Sequence, residues 1–312
     1  MPAYPNRMAD NGDIKAAVER WSAGEVVAIP TETVYGLAAP INSPEGLEAI
    51  FRVKERPFFD PLILHVASVA EARTLTTNWN PVADLLAQTF WPGPLSLVLP
   101  KSNRVPEIVT AGLSTVAIRM PAHPIALSLI VAAQAPLAAP SANKFGKTSP
   151  TLAEHVRNSL PGVYVVDGGE CDIGIESTVV DFPDAGKSEL RVLRPGMISK
   201  AQLESVIRRL GKNMKVTRLD GSAASPGTLK HHYQPQKPLR ILKDRAEISP
   251  NPSAELVLGD SPAIAARRLY AEIHRLDSVL GIKEILVVHD PAHAGEEWEP
   301  IWDRLRRAEN GD

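Results

Sequence analysis

Blocks of apolar and polar residues alternate along the chain with spacings that predict both helices and buried strands. Ala17, Val18 and Trp21 share one face of a helix predicted for residues 13–23. Short apolar runs bounded by turn-forming residues are typical of buried strands: GEVVAIP, PLILHV, LSLVLP, TVAIRMP, VYVVDGG, ESTVVDF and ELRVLRPG. Because some strands follow one another directly and others are separated by helical segments, the pattern predicts an α/β domain with a mixed sheet.

Capping residues indicate where two of the helices begin. Ser43 precedes Pro44 in SPEGLEAIFRVKER, a combination favoured at a helix N-terminus. Ser199 is the first residue of SKAQLESVIRRL and is predicted to cap that helix. The first of these helices is predicted to end near Arg56, because Pro57 disfavours helical geometry in the residue before it.

The composition changes after Leu210, where DGSAASPGTLKHHYQPQKP lacks apolar periodicity and is rich in Gly, Ser and Pro. Such a segment is typical of a linker. Beyond it, LRIL, AELVLG, SPAIAARRLYAEIHRLDSV, EILVVHD and EEWEPIWDRLRRAEN predict a small α/β unit. The predicted organisation is a first domain at 1–212, a linker at 213–238 and a second domain at 239–312. The charges of the last helix predict a solvated face: Glu296, Glu297, Glu299, Arg304, Arg306 and Arg307.

Charge and cysteine content limit the possible classes of function. The formal net charge is −2, from 34 basic and 36 acidic side chains, so any site for a polyanion must be local. The one cysteine, Cys171, excludes an internal disulfide and is predicted to be incidental. His231 and His232 are adjacent, which is a poor spacing for a metal site. With no long apolar run and no signal-like N-terminus, we expect a cytoplasmic protein.

Lys54 and Arg56 stand at the predicted C-terminus of the helix that precedes the strand PLILHV, and Pro57 and Pro61 follow them in the connecting loop. Two interpretations are open at this point. The cations could form a solvated helix end, where they interact favourably with the helix dipole. They could instead bind phosphate, for which Arg supplies a fork of donors and Lys a point charge.

Other polar loops also follow buried strands, the position where ligands bind in open α/β sheets. These loops are TETVYG, PSANKFGKTSPT, GIESTVVD and LRPG, and their hydroxyls could equally satisfy the loop backbone. Arg119 ends the apolar strand TVAIRMP, so it must pair either with a carboxylate of the protein or with one from a ligand.

Seven ordered motifs resemble the YrdC-type domain of threonylcarbamoyl-AMP synthases: PTETVYGL, KERPFFDPLILHV, WPGPLSLVL, VAIRMPAHP, APSAN, GIESTVVD and LRPG. SPGTLKHHYQP resembles the linker of the two-domain form of that family. The resemblance implies a twisted open mixed sheet with a locally basic cleft, and a smaller C-terminal Rossmann-like α/β domain that is not expected to bind a dinucleotide. It implies synthesis of L-threonylcarbamoyl-adenylate from L-threonine, bicarbonate or CO2 and ATP, with release of pyrophosphate.

The resemblance also implies roles for individual residues. The family's two signature pairs, expected to be catalytic, match Lys54 with Arg56 and Ser141 with Asn143. The positions expected to bind L-threonine are Thr33, His65, Arg119, Ser141 and Ser177. The positions expected to bind ATP are Arg56, Asp60, Thr115, Asn143, Thr151, Arg194 and Tyr233. Mg²⁺ is expected to arrive with ATP and to be held mainly by ATP oxygens, without a dedicated protein metal site.

The resemblance also implies partners, and the sequence differs from the family pattern in the linker and at Asp60. Downstream proteins are expected to move the threonylcarbamoyl group to an adenosine beside the tRNA anticodon, and tRNA binding by this chain is expected to be weak. In the linker, His231 replaces a common arginine and Lys230 stands beside it, so linker closure over ATP could be weaker or pH-dependent. Asp60 stands where Asn is common, which favours a metal-bridged or ribose contact.

Two alternative functions stay open from the sequence. One is a non-catalytic module that binds double-stranded RNA or tRNA, which the near-neutral net charge disfavours. The other is a carbamoyl-transfer relative of hydrogenase-maturation proteins, which the lack of a cysteine-rich segment disfavours.

Overall fold

Local sequence signals determine where the helices begin. The structure is a computed structural model that describes residues 10–183, 188–211, 214–219, 232–248 and 251–309. Ser43 accepts a hydrogen bond from the backbone N of Gly46, and Ser199 forms a capping box with Gln202, so both predicted caps are confirmed.

Thirteen strands lie within the described residues, and they form two separate sheets. The strands of the large sheet are β1 (Val27–Ile29), β2 (Gly36–Pro40), β3 (Ile63–His65), β4 (Leu95–Pro100), β5 (Thr115–Arg119), β6 (Leu137–Ala138), β7 (Tyr164–Val165), β8 (Thr178–Asp181), β9 (Glu189–Arg194) and β10 (Lys215–Arg218). The strands of the small sheet are β11 (Leu239–Leu242), β12 (Ser253–Glu255) and β13 (Glu284–Val288).

The helices cover the large sheet and complete the small unit. They are α1 (Asn11–Ser22), α2 (Pro44–Lys54), α3 (Val69–Thr74), α4 (Pro81–Phe90), α5 (Glu107–Thr110), α6 (Pro124–Ala133), α7 (Ala153–Ser159), α8 (Lys200–Arg208), α9 (Pro262–Ser278) and α10 (Glu299–Ala308). Short 3₁₀ turns lie at Arg245–Glu247 and Pro291–His293. Within the same described ranges, no helix is both long and apolar enough to cross a membrane.

The large sheet is mixed, as predicted. Its strand order is β10-β9-β8-β4-β5-β3-β6-β2-β1-β7, and parallel and antiparallel neighbours alternate irregularly along it. In the small sheet, the central strand β13 is parallel to both β11 and β12. The fold is therefore α/β in both units, which confirms the predicted class.

One parallel pair matters most for the candidate site. Strands β3 and β5 run side by side with His65 opposite Arg119, and each of these residues is the last in its strand. Because parallel strands end at the same edge of a sheet, an imidazole and a guanidinium from distant parts of the sequence come together.

The large unit extends into the segment that the sequence predicts as linker. Strand β10 lies inside 213–238 and pairs in parallel with β9, with Val216 opposite Leu190. The structural reason is that buried Val216 contributes to the main hydrophobic core. The other predicted domain limits stay predictions, and Lys230 and His231 lie outside the described residues.

The small unit packs directly against loops of the large unit. Its core, built around Leu269, Ile285 and Trp302, also includes Val34 and Ile175 from the large unit. Gly174 lies against the backbone of α9, where an added Cβ would stand 2.4 Å from the carbonyl oxygen of Arg267. Gly174 also has a φ of +81°, a conformation that favours glycine.

Two histidines contact each other across the same junction. His155 of α7 and His274 of α9 stack with ring centroids 4.0 Å apart. His274 Nε2 lies 3.1 Å from the carbonyl oxygen of Ser149, and His155 Nδ1 accepts from the backbone N of Thr151. The junction therefore combines apolar packing with buried polar contacts.

Candidate active site

A cleft opens where β3 and β5 end. It contains about 530 Å³ of space not filled by protein, part of it open to solvent. Its polar lining consists of Thr31, Thr33, Arg56, His65, Arg119, Ser141, Glu176, Ser177, Arg194, His232 and Tyr233. The lining therefore includes every residue predicted for threonine, and Arg56, Arg194 and Tyr233 from the set predicted for ATP.

Arg119 is buried at the base of this cleft. Its Nη1 donates to Thr33 Oγ1 at 2.9 Å, and its Nη2 lies 2.6 Å from Oε1 of the buried Glu32. The two interpretations left open for Arg119 are thus compatible, since it pairs with a protein carboxylate and also faces the cleft. Sequence reasoning missed Glu32, although the acidic residue in TETVYG was a visible signal.

Small hydroxyls form one wall of the cleft. Ser177 Oγ lies 2.8 Å from Ser96 Oγ, and Arg194 Nη2 donates to the same Ser177 oxygen at 3.2 Å. On the facing loop, the hydroxyls of Thr31 and Thr33 are 2.9 Å apart. These hydroxyls are held in fixed directions, as recognition of a small polar ligand requires. Ser96 is a second residue that sequence reasoning missed.

Arg56 is held by the loop that follows α2. Its Nη2 lies 2.8 Å from Asp60 Oδ2 and donates to the carbonyl oxygen of Pro61 at 2.8 Å. Burial raises the pKa of the Asp60 carboxyl, and attraction to Arg56 opposes that effect. Asp60 therefore contacts Arg56 instead of lining the cleft, so its predicted contact with metal or ribose stays a prediction and the geometry favours an orienting role.

Lys54 is fully buried behind the cleft. Its Nζ donates to the carbonyl oxygens of Ser141 and Asn143, each at 2.5 Å. Burial, followed by repulsion from Arg56, holds the pKa of Lys54 well below its ordinary value. Direct contact with phosphate stays a prediction, and the geometry favours a different role, which is to fix the loop that presents Ser141.

Asn143, which forms the second signature pair with Ser141, also supports this loop. The side-chain amide of Asn143 donates to the carbonyl oxygens of Lys144 and Lys147, each at 2.8 Å. Asn143 is buried and does not line the cleft, so its predicted contact with ATP also remains a prediction.

Thr115 and Thr151 stand apart from the cleft lining. Thr115 begins β5, four residues before Arg119, which separates them by roughly 13 Å along the strand. Thr151 is buried next to His155. Their assignment to ATP stays a prediction.

The histidines of the cleft are neutral at physiological pH. Burial, with a contribution from Arg119, lowers the pKa of His65 to about 3. Burial likewise lowers the pKa of His232 to about 3. Burial raises the pKa of the Cys171 thiol well above its ordinary value, in agreement with an incidental role.

The small unit contacts Glu176 in the cleft wall through Arg304, which corrects one prediction. The sequence predicts Arg304 on a solvated face, but its side chain is 1% exposed and its Nε donates to Glu176 Oε2 at 2.9 Å. The reason is that α10 turns this side chain towards the large unit, where a buried carboxylate receives it. Glu296, Glu297 and Arg306 of the same segment are exposed, as predicted.

Among the described residues, three side chains donate to the Glu176 carboxylate: Ser149, Tyr270 and Arg304. Ser149 Oγ donates to its Oε1 at 2.6 Å, and the Tyr270 hydroxyl donates to its Oε2 at 3.0 Å. Burial alone would raise the pKa of Glu176, but Arg304, Arg194 and Ser149 together lower it to about 2. Glu176 is therefore an ionised carboxylate in the wall of a cleft that is otherwise basic.

Two family models together match most of the chain. A family model described as "Telomere recombination", which represents Sua5, YciO and YrdC proteins, matches residues 19–196. A second model, described as the C-terminal domain of threonylcarbamoyl-AMP synthase, matches residues 198–309.

The chain is also similar to individual proteins and to a solved structure. The chain is 39% identical over 273 residues to a threonylcarbamoyl-AMP synthase of Pyrococcus abyssi, an alignment that covers 84% of this chain and 74% of that protein. It is 45% identical over 227 residues to the Bacillus subtilis protein of that name, covering 72% and 64%. The crystal structure of Pyrococcus abyssi Sua5 complexed with L-threonine is similar over 97% of this chain and 95% of that one, with a TM-score of 0.85 and 34% identity.

Proposed function

The chain belongs to the threonylcarbamoyl-AMP synthase family, and from this premise we propose that it makes L-threonylcarbamoyl-adenylate. The substrates are L-threonine, bicarbonate or CO2, and ATP, and pyrophosphate is released. The observation that carries the proposal is the convergence of Arg56, His65, Arg119, Ser141 and Ser177 on one cleft. A relative that covers almost the whole chain has been solved with L-threonine bound, which supports this choice of amino acid.

Threonine is assigned to the part of the cleft that contains Arg119 and Ser177. Arg119 keeps its guanidinium at the cleft while Glu32 and Thr33 fix its orientation, so it can hold the amino-acid carboxylate. The hydroxyl of Ser177 is oriented by Ser96 and Arg194, and it can hydrogen-bond the threonine side chain.

The phosphates of ATP are assigned to Arg56 and Arg194. Arg56 and Arg194 both line the cleft, and both are buried enough for their charge to act at low local dielectric. Tyr233 lies beside them and is proposed to contact ATP as well.

We propose that Mg²⁺ enters with ATP. The buried carboxylates Glu32, Asp60 and Glu176 each contact an arginine, which fits a cation held mainly by phosphate oxygens. When bound, Mg²⁺ neutralises charge on the phosphates. The task of the chain is to orient the phosphates through Arg56 and Arg194.

The chemistry has two steps, and both rely on positioning. The deprotonated amine of threonine adds to CO2 and loses a proton, which gives a carbamate. A carbamate oxygen then forms a bond to the α-phosphorus of ATP, while the bond to the bridging oxygen breaks and pyrophosphate leaves with that electron pair. The protein contributes orientation and charge stabilisation, so it needs no covalent intermediate.

The product is a reactive mixed anhydride, so it requires a partner that consumes it. We propose that tRNA-modifying proteins in the cytoplasm transfer its threonylcarbamoyl group to the adenosine beside the anticodon. The RNA-binding alternative has no comparable support, because the relatives reported above are named as synthases.

The test is to incubate the protein with ATP, Mg²⁺, bicarbonate and L-threonine and to detect the mixed anhydride by mass spectrometry. Pyrophosphate release should require both threonine and bicarbonate. Arg56→Ala should abolish this release, whereas Arg52→Ala, an exposed change on α2, should leave it unchanged. Near-normal turnover of Arg56→Ala would refute the role of Arg56, and absence of the anhydride from the wild type would refute the proposed function.

A further inference from the structure

Glu176 places a negative charge in a cleft that must accept negatively charged ligands. Threonine carries a carboxylate and ATP a triphosphate, and like charges at close range in a partly buried site repel strongly. Glu176 lines the cleft next to Ser177, which is one of the residues proposed to bind threonine. The cleft therefore depends on something that offsets this carboxylate.

Arg304 of the small unit supplies that offset. It is as deeply buried as Lys54, and its Nε donates to the Glu176 carboxylate at 2.9 Å. Its Nη2 donates to the backbone carbonyl of Glu176 at 3.3 Å, and its Nη1 donates to the carbonyl of Pro195 at 2.7 Å. One guanidinium thus spans the loop that carries Ser177 and the loop that follows Arg194.

The same guanidinium also contacts Tyr233. Arg304 Cζ lies 5.4 Å from the centre of the Tyr233 ring, and Tyr270 of α9 stacks on that ring at 5.8 Å. Cation–π and aromatic contacts of this kind fix a ring's orientation as well as its position. Tyr233 has a φ of +65°, which is uncommon for a residue with a side chain and is maintained only when neighbouring groups hold it.

We infer that Arg304, assisted by Tyr270, is a positioning residue for the proposed reaction: it offsets the charge of Glu176 and holds Ser177, Arg194 and Tyr233 in register. This inference rests on the proposed function and assigns the small unit an indirect part in substrate binding, through the residues that line the cleft. Arg304 and Tyr270 do not line the cleft themselves; they contact Glu176 and Tyr233, which do.

The experiment is a double-mutant cycle with Arg304→Met and Glu176→Gln. Methionine keeps much of the volume of the arginine stem but removes the charge, and glutamine removes the carboxylate charge with little change of shape. Arg304→Met should weaken ATP and threonine binding by tenfold or more, measured by calorimetry, and should raise both KM values more than it lowers kcat. Arg306→Met is the matched control, since Arg306 lies on the same helix but is exposed and contacts Glu299.

The double variant distinguishes the loss of the Arg304 charge from a general loss of folding. If Arg304 offsets Glu176, adding Glu176→Gln to Arg304→Met should restore at least half of the lost binding free energy, even where the melting temperature stays low. The inference is overturned if Arg304→Met binds both ligands like the wild type, or if the double variant binds as weakly as Arg304→Met.

Two further measurements keep the test decisive. If Arg304→Met does not fold, Tyr270→Phe replaces it, because it deletes only the hydroxyl that donates to Glu176. That variant should weaken ATP binding by about two- to fivefold, and unchanged binding would overturn the inference. Calorimetry reports ligand binding without turnover, so a wild type that binds but makes no anhydride would refute the proposed reaction and leave the outcome for Arg304 readable.

Discussion

The large and small units both end parallel strands at one edge of a sheet, yet they use that edge differently. In the large unit, the ends of β3 and β5 carry His65 and Arg119 into the cleft. In the small unit, β12 is followed by the apolar residues Leu256, Val257 and Leu258, and the polar residues that follow β11 and β13, Lys243 and His289, are exposed. The small unit instead supports the wall of the cleft, because Tyr270 of α9 and Arg304 of α10 contact Glu176. The position of the candidate site therefore depends on the side chains at the strand ends and not on the topology of the sheet alone.

Arg119→Ala tests the strand-end site most severely. The change removes the group proposed to hold the carboxylate and leaves Glu32 buried beside the threonine position. We expect kcat/KM for threonine to fall by on the order of 10²-fold or more, because one partner of a buried charge pair is lost. Steady-state pyrophosphate release provides the measurement, with the exposed Arg157→Ala as control. A threonine KM close to that of the wild type would show that Arg119 does not hold the threonine carboxylate.

Leu269→Ala tests whether the small unit acts as a separate body. Leu269 is 1% exposed in a core that also contains Val34 and Ile175, so we expect a loss of about 2–5 kcal/mol in a single unfolding transition. Chemical denaturation followed by circular dichroism measures it. Leu280→Ala, at a position 95% exposed, should change the stability by less than about 0.5 kcal/mol. Two separate transitions, with unchanged ATP affinity, would contradict the shared core.

Lys54→Met tests the support of the cleft from within the large unit. The variant leaves the carbonyl oxygens of Ser141 and Asn143 without their shared donor, at a cost of about 1–3 kcal/mol. We expect a lower melting temperature and weaker ATP binding, whereas the exposed Lys15→Met should have neither effect. If Lys54→Met keeps full stability but loses ATP binding, Lys54 contacts phosphate and its positioning role is wrong.

His155→Gln gives the smallest expected effect and reports on the junction between the units. Burial, followed by repulsion from His274, lowers the pKa of His155 to about 3, while the unfolded chain binds a proton near pH 6.5. Because the unfolded state takes up that proton first, stability falls as the pH decreases from 6.5 towards 3. Urea denaturation between pH 7.5 and 5 should show a shallower loss for His155→Gln. The exposed His289→Gln should keep the wild-type slope, and an unchanged slope in His155→Gln would exclude the effect.

Features with a local cause were predictable from the sequence. Ser43 and Ser199 cap helices because a hydroxyl satisfies nearby backbone N–H groups, and no distant contact is needed. The strands with continuous apolar runs were also found, since burial on both faces leaves that pattern. Arg119 was identified as a candidate because a charge at the end of such a strand requires a partner.

Features with a distant cause were not predictable. Arg304 contacts Glu176 across 128 positions of sequence, and no pattern in α10 distinguishes it from its exposed neighbour Arg306. The pairing of Ser96 with Ser177 likewise depends on the parallel register of β4 and β8. Strand β10 lies in the segment that the sequence predicts as linker, because the residues that follow it are rich in Gly, Ser and Pro and lack apolar periodicity. Single-sequence patterns report burial along an element, but they do not identify the element's partner.

The bare backbone at Gly174 makes the joint between the units intolerant of even one added carbon. A methyl group there would collide with main-chain atoms of α9, which cannot rotate aside as a side chain could. An alanine at this position would force the helix that carries Tyr270 outward, although no side chain of either hydrophobic core would be changed. A point change could thereby uncouple the two halves without truncating either.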